Sequence, residues 1–167
     1  DPADPIRHIT VVHEDLIPLH DLGVVFDPGW VALIEDFRAL RFMDWMATNG
    51  SEQERWEDRP LPTDYTWVWR GVPVEVMVRL ANEVGADPWF TLPHMADDAY
   101  VRAFATYVRD HLDPRLTGYA EWSNEVWNFI FPQAHWAAEQ ARARWGVEGG
   151  DGWIQFAGVR AAEVADI

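Results

Sequence analysis

Tyr119 to Asn128 reads Y-A-E-W-S-N-E-V-W-N. It continues a strand read over Leu116 to Ser123 and then passes into a polar loop studded with aromatics. Alternation places Glu121, Ser123 and Glu125 on one face of the strand. The segment before it, opened by Asp97 as an N-cap, carries Val101, Phe104, Ala105, Val108 and Leu112 at helical spacing. Asp113-Pro114 ends that helix. The segment after it, Pro132 to Trp145, is again helical and is closed by Gly146. A strand framed by two helices is the unit of an α/β fold.

Reading outward in both directions repeats the unit. Asp87 to Pro93 (DPWFTLP) reads as a strand leading to His94, and Ala39 to Trp45 (ALRFMDW) as another. Between them Pro73 starts a helix with Val74, Met77, Leu80 and Val84 on one stripe and Gly85 as its stop. Asp27-Pro28 opens an earlier helix whose spacing runs through Trp30, Leu33, Ile34, Phe37 and Leu40. Arg7 to Val12 (RHITVV) reads as a further short strand, and Asp151 to Asp166 as a last helix.

Strands that alternate with helices predict a parallel sheet. No glycine fingerprint follows the first strand, so a dinucleotide-type doubly wound sheet is disfavoured. The cluster from Gly146 to Gly152 lies between helices and lacks a Lys-Ser/Thr pair, so it is no phosphate loop. Distinctive residues instead fall at successive strand ends, which is where a (β/α)8 barrel keeps its function. The expectation is therefore α/β, a partial (β/α)8 TIM-type barrel. Residues 1–167 would form a single domain belonging to a longer barrel, whose remainder would be a partner.

Composition narrows the partners. The 167 residues carry a formal net charge of −15, which disfavours nucleic acid and anionic membranes. No run is long and apolar enough for a membrane span. Cysteine is absent, which excludes thiolate chemistry and cysteine-ligated metals. Eleven tryptophans are far above ordinary usage. They read either as core filling or as flat apolar plates for a ligand cleft. The histidines are scattered and Asp44 with His94 is no ligand set, so neither a metal nor another cofactor is expected.

Three strand ends carry the chemistry: R-F-M-D-W at 41–45, F-T-L-P-H-M at 90–95 and Y-A-E-W-S-N-E at 119–125. An Asn-Glu pair at a strand end suits protonation of a glycosidic oxygen. The order Arg, His, Asn-Glu on successive strands resembles clan A of the glycoside hydrolases, retaining enzymes with (β/α)8 barrels. The longer run from Phe26 to Gln133 resembles a bacterial group often labelled cellulose-binding or clan-A-like hydrolases. The resemblance covers the N-terminal half of such a barrel.

It implies Glu125 as general acid/base and Asn124 as the ligand of the sugar 2-hydroxyl. It also implies Arg41 as support for the nucleophile and His94 as a lining residue of the cleft. Asp44, Trp45, Trp122 and Trp127 complete the candidate substrate-binding set. Each has a plainer reading: Glu125 as a loop carboxylate, Arg41 as an ion-pair partner, His94 as a packing residue, Asp44 as a structural acceptor, and the three rings as core. Glu121 reads either as a group that tunes Glu125 or as the partner of Arg41. The Asn49-Gly50-Ser51 sequon is set aside as uninformative.

A retaining mechanism needs a second carboxylate about 5–5.5 Å from the acid. In the clan that nucleophile is a strand-terminal Glu, and no Glu after Glu125 reads as one. The leading expectation is a retaining hydrolase of β-linked, cellulose- or β-glucan-like polysaccharide, with the nucleophile outside the visible sequence. The rival is a non-catalytic carbohydrate-binding protein with a Trp-lined cleft. Both imply a polysaccharide or oligosaccharide partner. An acidic, cysteine-free, Trp-rich chain suits a secreted or periplasmic bacterial protein.

Overall fold

The computed structural model describes residues 5, 9–146 and 148–167. The chain divides into two compact units, Asp1–Glu35 and Asp36–Ile167. The first holds a 3-10 turn over Glu14–Leu16 and two short helices, α1 (Ile17–Asp21) and α2 (Pro28–Ile34). Asp27 caps α2 by accepting the Trp30 N–H at 2.8 Å, and Pro28 fits the first turn, where no N–H is needed. The helix stops at Ile34, so the expected stripe is cut short, and Leu33 is left exposed. Of the strand expected over Arg7–Val12, Arg7 and His8 lie outside the described residues. Residues 9–12 form no strand.

The second unit runs β1 (Ala39–Arg41), α3 (Val74–Val84), β2 (Asp87–Leu92), α4 (Asp98–His111), β3 (Tyr119–Trp122), α5 (Pro132–Trp145) and α6 (Gly152–Ala165). The strands form one parallel sheet in the order β1-β2-β3. Arg41 sits opposite Trp89, which sits opposite Tyr119, and Thr91 sits opposite Glu121. The α/β alternation is therefore real, but the expected partial barrel is not. A barrel requires a tilted sheet that curls until its edges meet. Among the described residues there is a single sheet of three strands, of three, six and four residues, with β1 and β3 as its two outer strands.

The helices end where the sequence says they should. Gly85 and Gly146 close α3 and α5 in the left-handed conformation, at φ 74° and 68°, which a residue without Cβ adopts freely. Asp97 caps α4 through the Tyr100 N–H at 2.7 Å. Strand ends are less faithful to the sequence. The last bond from this segment to β2 is Phe42 N–H to Trp89 C=O at 2.9 Å, after which Met46 N–H bonds back to Phe42 C=O at 2.8 Å and forms a turn.

One sheet face is packed and the other is partly open. On the packed face Phe90 stacks against Phe42 and meets Phe104 of α4 edge-on, at 5.8 and 5.1 Å between centroids. Met77 and Leu80 of α3 are fully buried. Trp122 belongs to a second cluster with Ala137 and Ala141 of α5 and Phe156 and Ala157 of α6. Each large side chain fully withdrawn from water contributes roughly 1.5–3 kcal/mol. The other face carries Arg41, Trp89, Tyr119 and Glu121 in partial contact with solvent, while Thr91 on the same face is fully buried.

Candidate functional site

The C-terminal ends of the strands are tied together by polar side chains. Behind β1 the chain turns through Ala47, held at φ 46°. It is then clipped to β2 by the fully buried Thr48, whose Oγ1 donates to Thr91 C=O at 2.9 Å. Behind β3, Ser123 N–H reaches Leu92 C=O at 2.9 Å, extending the ladder one residue past the strand. There the backbone takes an unusual path: Ser123 has φ 60° and Glu125 φ 42°. Two non-glycine residues in the left-handed region, one either side of Asn124, cost on the order of 1–2 kcal/mol each. Such strain persists only where surrounding bonds over-determine the turn.

The bonds that do so are plain. Asn124, 4% exposed, accepts from Arg41 Nη2 through Oδ1 at 2.9 Å and donates through Nδ2 to Asn49 Oδ1 at 3.0 Å. Gln133, in the first turn of α5 and fully buried, donates to Asn49 Oδ1 at 2.7 Å and to Asn124 C=O at 2.8 Å. Its own Oε1 accepts Gly50 N–H at 3.0 Å. The loop after β1 and the turn after β3 are thereby locked across more than 70 residues of sequence. Asn124 keeps one amide hydrogen and one lone pair beyond these bonds.

Arg41 is the hinge of a second set. Its guanidinium donates to Glu121 Oε2 through Nε at 3.2 Å and Nη2 at 2.8 Å. It also lies over the Trp89 ring at 5.3 Å. Trp89 Nε1–H donates to the same carboxylate oxygen at 3.0 Å. Glu121 is thus the partner of Arg41. The pair is about one third exposed rather than buried.

Glu125 is half-buried, and its Oε2 accepts from Asn128 Nδ2 at 2.9 Å. Of the two rings that flank it in sequence, Trp127 is 61% exposed and Trp122 only 7%. Trp122 is a core ring, which leaves it no face for a ligand. Trp45 is half-buried against Phe42, and Asp44 is exposed on the turn after β1. His94 is 3% exposed, with its ring edge-on to Trp136 at 5.5 Å. Burial pushes its imidazole down to about 4, so it is neutral near pH 7. His94 Nδ1, Trp122 Nε1 and Ser123 Oγ are buried without a hydrogen-bond partner among the described residues.

The arrangement bonds Arg41 to Asn124, sets Glu125 next along the chain with Asn128 as its own partner, and leaves His94 packed against Trp136. Sequence reasoning missed Asn49 and Gln133. The Asn-Gly pair at 49–50 is a turn signal, but nothing in the sequence marks Gln133. Among the described residues no group of three or more His, Asp or Glu is placed to hold a metal ion. No helix there is long and apolar enough to cross a membrane. Comparisons with protein-family models, with curated proteins and with solved structures each find no match.

Proposed function

We propose that this protein acts on β-linked polysaccharide, with Glu125 as the proton donor to the glycosidic oxygen. The strained turn supports the reading: Ser123 at φ 60° and Glu125 at φ 42° bracket a buried, bonded Asn124 at a strand end. Backbone strain of this kind collects at functional sites, and here it presents one half-buried carboxylate beside an exposed Trp127. A general acid protonates the leaving oxygen as the sugar–oxygen bond breaks. Asn128 Nδ2, 2.9 Å from Glu125 Oε2, orients the carboxyl group. Asn124, 4% exposed and bonded to Arg41, Asn49 and Gln133, fixes the turn that carries Glu125.

The attacking carboxylate is left unassigned. Glu121, the carboxylate within β3, has its Oε2 occupied by three N–H donors. That occupancy favours a second reading, a carbohydrate-binding protein without catalysis.

Glu125→Gln separates the two. It keeps the size and the bond to Asn128 but holds no transferable proton. Hydrolysis of soluble β-glucan is expected to fall at least a hundredfold in the variant, with binding retained. Equal hydrolysis in variant and parent would remove Glu125 from the chemistry. Binding without hydrolysis in both proteins would select the binding reading.

A further inference from the structure

Trp69 stands 80% exposed on a loop that is not loose. Trp67 Nε1 donates to Leu61 C=O at 3.1 Å, Gln53 Nε2 to Arg70 C=O at 2.9 Å, and Arg70 Nη1 to Asp58 C=O at 3.3 Å. Gly71 N–H closes back on Trp67 C=O at 2.9 Å, and Val72 N–H reaches Trp45 C=O at 2.6 Å. Gly71, at φ 86°, packs so tightly that a Cβ there would come within 2.5 Å of the Trp45 carbonyl oxygen. The backbone on both sides of Trp69 is therefore fixed, and it carries the exposed ring at a set place on the surface.

Trp69 walls a cavity of about 550 Å³ whose other lining includes Asn49, Gly50, Glu52, Asp58 and Arg70. That volume lies within the roughly 300–1,000 Å³ of small-ligand sites. Two of its lining residues, Asn49 and Gly50, belong to the same amide network that holds Asn124.

From this geometry we infer a second sugar subsite, in which Trp69 stacks on an uncharged pyranose whose hydroxyls meet the polar lining. The inference rests on the carbohydrate reading above and deepens it by naming where a longer chain is gripped. A large aromatic ring sharing a cavity lining with polar side chains supplies what the two sides of a pyranose need, a plate for its apolar C–H face and partners for its hydroxyls. An anionic sugar is disfavoured by Glu52, by Asp58 and by the net charge of −15. Asp58 is committed as a carboxylate, since its Oδ2 accepts the Glu54 and Arg55 N–H groups at 3.2 and 2.7 Å. Arg70 is drawn toward Asp64 at 3.5 Å, so the cavity is not built to hold an anion.

The test is calorimetric binding of neutral β-glucan oligosaccharides of increasing length to the parent and to Trp69→Ala, Trp69→Phe and Tyr65→Ala. Tyr65 is 96% exposed on the same loop but does not line the cavity. For the longer oligosaccharides Trp69→Ala is expected to weaken binding at least tenfold, Trp69→Phe to restore most of it, and Tyr65→Ala to match the parent. An unchanged affinity in Trp69→Ala, an equal loss in Tyr65→Ala, or tighter binding of polygalacturonate or chitosan oligomers than of neutral ones would each overturn the subsite.

Glu125→Gln in parallel keeps the two ideas apart. Lost hydrolysis with unchanged Trp69→Ala binding leaves the acid and removes the subsite. Parent-like hydrolysis in Glu125→Gln with weakened Trp69→Ala binding does the reverse. No binding of any oligosaccharide by the parent would remove both.

Discussion

Arg41 Nη2 lies 2.9 Å from Asn124 Oδ1, joining the end of β1 to the turn after β3 across 83 residues. The same nitrogen is 2.8 Å from Glu121 Oε2, so one guanidinium serves a carboxylate on the partly open sheet face and an amide buried beneath the loops. The two bonds differ in worth. The ion pair is about one third exposed at each end, and solvent limits such pairs to about 0–1 kcal/mol. The bond to Asn124 ends on a group only 4% exposed, and stranding a buried acceptor costs roughly 1–3 kcal/mol.

Arg41→Met is therefore expected to lower stability by about 1–3 kcal/mol in urea unfolding. Glu121→Gln, which leaves the Arg41–Asn124 bond in place, is expected to lose less than about 1 kcal/mol. If the two variants lost equal stability, the ion pair rather than the buried amide would carry the contribution of Arg41.

The turn at Ser123 offers the opposite sign. Ser123 is fully buried at φ 60°, and its Oγ has no partner among the described residues. Ser123→Gly relieves the left-handed strain and removes the unpaired hydroxyl. Against that stands the greater freedom of glycine in the unfolded chain. The balance is an expected gain of up to about 1 kcal/mol. Ser123→Val, which forces a β-branched residue into the same φ, is expected to lose more than about 2 kcal/mol. Thermal midpoints of the two variants check the order, and a destabilised Ser123→Gly would mean that the hydroxyl has a role the strain argument omits.

Much of this architecture was legible where the signal is local. Helices α3, α4 and α5 follow from caps and apolar spacing, because Asp97, Gly85 and Gly146 act on bonds within a few residues of themselves. Alternation offered Arg41 as one of two roles for Glu121, and the structure selects it: the two side chains meet across Trp89 of β2, which lies between their strands. Barrel closure was not legible. Residue types at strand ends say which end of a sheet carries polar groups, but not how many strands it has. The amide clamp was hidden for a related reason: Asn49 and Gln133 are 84 residues apart, and neither breaks a local pattern. Trp122 and Trp127 are alike in sequence context and opposite in exposure. Only the packing of α5 and α6 separates them.

His94 gives a pH dependence with a definite sign. Its imidazole falls from 6.5 to about 4 because burial penalises the charged form. Between those values the unfolded chain binds a proton that the folded chain refuses, so stability falls as pH drops from 6.5 toward 4. At about 1.4 kcal/mol per pH unit the loss reaches about 3 kcal/mol at the bottom of the window, and above it His94 contributes no slope. His94→Phe retains a ring against Trp136 and removes the titration. The difference in unfolding free energy between parent and His94→Phe, measured by urea unfolding from pH 4.5 to 8, is expected to be flat above pH 7. Below pH 6.5 it should shift in favour of the variant. Parallel curves across the whole range would show that His94 takes up its proton equally in both states.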